Sequence, residues 1–113
     1  MPIPKVFYIT QGDLEPLLTA VLVDENEEPV PLTAATSVKF IMREPNSGTA
    51  KINAAASIVG PAVDGRVRYT WTGTDTDTAE DYDAEFEVTW SSGGKTTFPN
   101  FGYFRVKVKK QLA

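Results

Sequence analysis

The chain has 113 residues, 42% of them hydrophobic and 23% charged, with a net charge of −4 and an isoelectric point near 4.7. That length allows one sandwich-sized core without cross-links, and the acidic balance excludes the basic surface that nucleic acid or an anionic membrane requires. Neither Cys nor His occurs, which removes disulfides, thiolate sites, the usual zinc ligand and the commonest general base.

Residues 1–5, Met1-Pro2-Ile3-Pro4-Lys5, lack the apolar stretch of a signal peptide, and no apolar run in the chain is long enough to span a membrane. Pro2 and Pro4 hold this arm extended, so it costs little to order on a partner, with Ile3 as its contact. The alternative is a frayed terminus. Val6 to Thr10 reads as the first strand and Gln11-Gly12-Asp13 as a turn. Leu17 to Asp24 is the second strand, with Leu18, Ala20 and Leu22 on one side and Leu17, Thr19, Val21 and Val23 on the other. Both sides are apolar, so this strand is either covered on both faces or placed at a subunit contact. Asp24 to Pro29 is a solvated turn, and Leu32 to Ala35 one short helical turn.

Ser37 to Arg43 alternates, with Val38, Phe40 and Met42 inward and Lys39, Ile41 and Arg43 outward. Glu44 to Gly48 carries turn chemistry. Ile52 to Val59 is a weaker strand, because Ala54-Ala55-Ala56 has low strand propensity. Asp64-Gly65 signals a hairpin into a strand over 66–72. A polar corner over 73–81 leads to the clearest strand of the chain, 82–90, where every even residue from Tyr82 to Trp90 is apolar and every odd one acidic or polar. Ser91 to Gly94 is a tight loop into Lys95 to Phe98, and Gly102 to Lys109 is the last strand. Seven or eight strands at this spacing predict an all-β, antiparallel, immunoglobulin-like β-sandwich, with residues 1–113 as a single domain.

Tyr82 opens its strand after a polar corner that follows Trp71, as a Tyr does at the corner of immunoglobulin-like domains. Ala84 stands where those domains carry a Cys, and no Asp lies four residues before the Tyr. The similarity is therefore to the sandwich and not to antibody domains. In that strand order the acidic strand with Asp83, Glu85 and Glu87 lies between two basic ones, Lys39 and Arg43 on one side and Arg105, Lys107 and Lys109 on the other. Facing opposite charges choose neighbours and register; the alternative is a solvated face without partners.

Little catalytic chemistry is visible. Asp75, Asp77, Asp81 and Asp83 lack the ligand order of a calcium loop. No motif selects a carboxylate pair for glycoside hydrolysis, and Gly93-Gly94-Lys95-Thr96 lies between two strands with no helix to complete a phosphate loop. Trp71 and Trp90 fall on inward faces. Phe101 and Tyr103 flank Gly102, Tyr103 points opposite to Phe104, and one of the two is expected to be exposed and available to a partner.

An ordered set of segments completes the pattern: Gln11-Gly12-Asp13; the acidic turn Asp24 to Val30; Leu32-Thr33-Ala34-Ala35 before the strand ending in Met42-Arg43; Gly65 to Trp71; Tyr82 to Val88; and Phe98-Pro99-Asn100-Phe101-Gly102-Tyr103. Together they resemble the N-terminal domain family of phage baseplate upper proteins and its relatives among siphophage tail proteins, over nearly the whole chain. The resemblance implies a virion structural module, made in the host cytoplasm and acting by association with other virion proteins. It implies a homo-oligomer in a symmetric assembly, with no catalytic activity, cofactor or metal. Larger members continue into a fibre, whereas this sequence stops at Ala113, which implies an adaptor, plug or decoration. The candidate contacts are Pro2, Ile3, Pro4, Val21, Val23, Ile41, Phe101 and Tyr103. The rival expectation is a carbohydrate-binding or adhesin-type sandwich, which needs an exposed aromatic row.

Overall fold

Period-two alternation is realised as eight strands in a computed structural model that describes residues 3, 5–100 and 102–112. The strands are β1 (Val6–Thr10), β2 (Leu18–Val21), β3 (Ala35–Arg43), β4 (Ile52–Ile58), β5 (Arg66–Tyr69), β6 (Glu80–Trp90), β7 (Lys95–Phe98) and β8 (Phe104–Lys109). Their order is β1-β8-β6-β3-β4-β5-β2, with β7 on β6 beyond the end of β8. The fold is all-β and mostly antiparallel, as the alternation predicts.

One pairing corrects the antiparallel expectation. β1 runs parallel to β8, with Val6 opposite Arg105 and Thr10 opposite Lys109. A parallel neighbour needs a long crossover, and here almost the whole chain lies between the two strands.

β4 joins two layers. Ile52 to Ala56 pairs with β3, and Ser57 and Ile58 pair with β5. Its alanines form strand despite weak propensity because they sit opposite large residues of β3, Ala54 against Phe40 and Ala56 against Val38. β4 and β5 form the expected hairpin, and its loop turns through a short 3-10 segment over Ala62–Asp64. Gly65 closes it at φ 67°, and a Cβ there would lie 2.8 Å from the Val30 carbonyl oxygen. β2 and β5 are shorter than their apolar runs suggest, and Trp71 lies past the end of β5, still only 2% exposed.

Phe40 stands at the centre of the core. Its ring lies 4.6 Å from Tyr69, 5.4 Å from Phe86 and 5.7 Å from Trp71, the last edge-on. Val38, Val67, Tyr82, Val88, Val106 and Val108, all inward by alternation, join the same buried cluster. Trp90 is half-buried, its indole N–H donating to Thr96 Oγ1 at 2.9 Å.

Candidate functional site

The outer face of β3, β6 and β8 carries the charge pattern in register. β6 lies between the two basic strands. Asp83 is therefore opposite Arg43 on one side and Arg105 on the other, Glu87 is opposite Lys39, and Asp81 is opposite Lys107. Arg105 Nη2 lies 3.5 Å from Asp83 Oδ1, and Lys95 Nζ 3.9 Å from Glu87 Oε1. Pairs of this kind are worth about 0–1 kcal/mol each, so they select register more than they stabilise. Glu85 faces Ile41 across β3 in place of a cation. Its carboxyl is raised above the usual range by burial, with Glu87 adding and Arg43 opposing.

Beside Glu85 the face is hollow, with a volume of about 400 Å³. Ile41, Arg43, Asp83 and Glu85 line it from β3 and β6, Gly48 and Ala50 from the loop after β3, and Tyr103 from the approach to β8. Ile41 is half-buried and Tyr103 is 56% exposed. Two candidate residues that are remote in sequence thus meet at one surface site.

A second hollow, of about 540 Å³, joins Ile3 and Lys5 of the arm to Val23, Asp24, Glu25 and Glu27 of the acidic turn, with Phe98, Pro99 and Asn100 beside them. Asp24 shapes that turn, its Oδ1 accepting the Asn26 and Glu28 N–H groups at 2.9 and 3.0 Å. Ile3 and Val23 are therefore also brought together.

Val21 is not available. It is only 7% exposed, so the rest of the chain covers the outward side of β2 at this position and Val21 is no contact for a partner. Cover on the second face is local to Val21, since Thr19 is exposed and Leu17 and Val23 are half-buried. Pro2, Pro4 and Phe101 lie outside the described residues. Alternation within β1 also carries a signal missing from the list: Phe7 and Ile9 face the core, which leaves Val6 and Tyr8 outward, 37% and 64% exposed.

The corner before β6 binds itself. The Tyr82 hydroxyl donates to the Thr78 carbonyl oxygen at 3.0 Å. Burial first, and then Glu44, Glu80 and Asp77, push that phenol up to about 12. Asp75 Oδ2 accepts the Tyr69 hydroxyl at 2.6 Å and the Thr72 N–H at 2.9 Å. Burial and this carboxylate raise the Tyr69 phenol well above its ordinary value. Asp77 Oδ1 takes Lys51 Nζ at 2.7 Å, and that hydrogen bond leads in lowering the exposed Asp77 carboxyl. Asp75 and Asp77 thus each spend one oxygen on neighbouring protein donors. Among the described residues, no three Asp or Glu side chains form a group able to hold a metal ion.

A family model described as the BppU N-terminal domain matches residues 5–111. Among curated proteins, none matches the chain.

Proposed function

Because the chain belongs to the BppU N-terminal domain family, the baseplate upper protein N-terminal domain, it is a structural protein of a phage baseplate or tail, and we propose that it works there as an attachment module. It acts by protein–protein association, with neighbouring virion proteins and with copies of itself, and performs no chemical step. The observation that carries this reading is the pairing of Ile41 with the 56% exposed Tyr103 in one hollow of the outer face. Apolar groups exposed together beside a charged rim are what an interface leaves behind in the free subunit. A glycan-binding reading needs a row of exposed aromatics, whereas Tyr103 is the single aromatic lining this hollow among the described residues.

Electron microscopy of purified particles carrying a labelled copy tests the reading. The label is expected at a fixed, symmetric position on the tail or baseplate. Ile41→Asp and Tyr103→Ser, both folded by circular dichroism, are expected to lower incorporation. A label missing from particles, or both variants incorporating like the parent, would overturn it.

A further inference from the structure

We propose that the free edge of β1 is a strand-pairing surface, taken by β1 of a second copy across a two-fold axis; this rests on the reading that the chain acts by association. β1 ends the strand order and, among the described residues, pairs with β8 alone. The Lys5 carbonyl accepts the Arg105 N–H, and the Gln11 N–H donates to the Lys109 carbonyl. Odd-numbered residues therefore turn their backbone groups toward β8. Alternation turns the N–H and C=O of Val6 and Tyr8 the other way, to the open margin. Among the described residues these groups have no hydrogen-bond partner.

Such an edge is normally blunted by a Lys, a Pro or a bulge. Val-Phe-Tyr-Ile-Thr contains neither residue, and its register with β8 is unbroken over all five positions. Tyr8 is 64% exposed, whereas Val21, in the strand at the other end of the order, is 7% exposed. Among the described residues, the end strand that exposes large apolar side chains is thus β1.

A second copy fits this margin without a like-charge contact. Antiparallel pairing about a two-fold axis at Tyr8 sets Tyr8 against Tyr8, Val6 against Thr10 and Phe7 against Ile9. Lys5 then falls opposite Gln11. The basic column Arg105, Lys107 and Lys109 lies one strand behind β1. Across the ribbon β8-β1-β1-β8 the two columns stand roughly 14 Å apart, beyond the screening length of about 8 Å at physiological salt. The Thr10 carbonyl already accepts the Asp13 N–H, so the shared ladder is short and centred on Tyr8. Association of the free chain is accordingly weak and concentration-dependent.

Sedimentation of the purified chain over a concentration series, with amide exchange followed by NMR, tests this. A monomer–dimer equilibrium is expected. The Val6 and Tyr8 amides are expected to gain protection as concentration rises, while Phe7 and Ile9 are protected throughout. Tyr8→Pro removes an N–H that β8 does not use, and Tyr8→Lys sets two cations on the axis. Both are expected to be monomers, and Tyr8→Lys to melt within a few degrees of the parent; Tyr8→Thr is expected to keep the dimer. A chain that is monomeric at every concentration, or a dimer unmoved by Tyr8→Lys, overturns the proposal. If that monomer still enters particles, the attachment reading survives. A chain that dimerises through β1 but is missing from particles supports this pairing and sinks the attachment reading.

Discussion

Replacing Gly65 with Ala should separate two costs that a left-handed glycine usually combines. Gly65 has φ 67° and Gly73 has φ 50°. At both, an L-residue carries a left-handed penalty of about 1 kcal/mol, offset by roughly 0.4–1 kcal/mol from a stiffer unfolded chain. The two sites differ in space. A Cβ on Gly73 meets nothing within 4 Å, but one on Gly65 lies 2.8 Å from the Val30 carbonyl oxygen and 3.0 Å from that of Leu22. Those oxygens are backbone, at the base of the acidic turn that rims the second hollow, so neither can rotate away. The strands must separate, disturbing the Leu22–Gly65 and Val30–Leu22 hydrogen bonds. Two weakened bonds at about 1 kcal/mol each place Gly65→Ala roughly 2 kcal/mol below Gly73→Ala. For a chain of 113 residues, unfolding entropy is roughly 0.24 kcal/mol/K, so the gap is about 8 °C in melting temperature. Thermal melts of the two variants by circular dichroism measure it. Midpoints within about 2 °C of each other would refute the close approach at Gly65.

Three further outcomes follow from the core and the corner. Phe86→Ala, at a fully buried ring stacked on Phe104, should cost about 3–5 kcal/mol in denaturant unfolding, comparable with a small domain's whole stability. A near-normal midpoint would sink the inward assignment of β6. Tyr82→Phe should cost about 1 kcal/mol at neutral pH, the net worth of its hydrogen bond to Thr78. The folded phenol is raised from 10 to about 12, so its contribution is complete below pH 10 and is lost as pH climbs through 12. The variant should lose less stability than the parent over that window, and equal alkaline slopes would count against the buried phenol. Calcium should leave the melting temperature unchanged, because Asp75 and Asp77 are occupied by Tyr69, Thr72 and Lys51. Binding at a hundred times its dissociation constant would add about 2.7 kcal/mol, a shift easily seen by scanning calorimetry.

Core positions were legible because alternation is a local property: Val38, Phe40, Tyr82, Phe86 and Val106 could be sorted inward from neighbours in their own strands. The position of β6 between two basic strands followed from an immunoglobulin-like strand order, with which the charge signs agree, while a solvated face without partners stayed open until the register was seen. What alternation cannot supply is the cover on a second face. Val21 was outward by its period and is nevertheless buried, because the strand length says nothing of what packs over it. The parallel partner of β1 was equally hidden, since β8 lies at the far end of the chain. The hollow at Ile41 was half-legible. Ile41, Arg43, Asp83, Glu85 and Tyr103 could be placed off the core face, but their meeting depends on a loop, Gly48 to Ala50, whose path no local pattern fixes.

On the proposed attachment reading, the distribution of charge explains why association would fall to apolar side chains and backbone edges. On the outer sheet face the charged residues largely meet one another: Asp83 with Arg105, Glu87 with Lys95 and opposite Lys39, Asp81 opposite Lys107. Their fields cancel over short distances, so this face has little long-range attraction to offer a partner. Acid is concentrated in the exposed turn holding Asp24, Glu25, Glu27 and Glu28, where two copies brought together would repel. What remains unsatisfied on the sheet among the described residues is of another kind: Ile41 and Tyr103 in one hollow, and the Val6 and Tyr8 margin with its open N–H and C=O groups. Groups of that kind gain free energy only on close contact, by shape and hydrogen-bond register. A subunit repeated at fixed positions in an assembly needs that dependence, because neighbours already held in place can meet in register while free copies in solution rarely do.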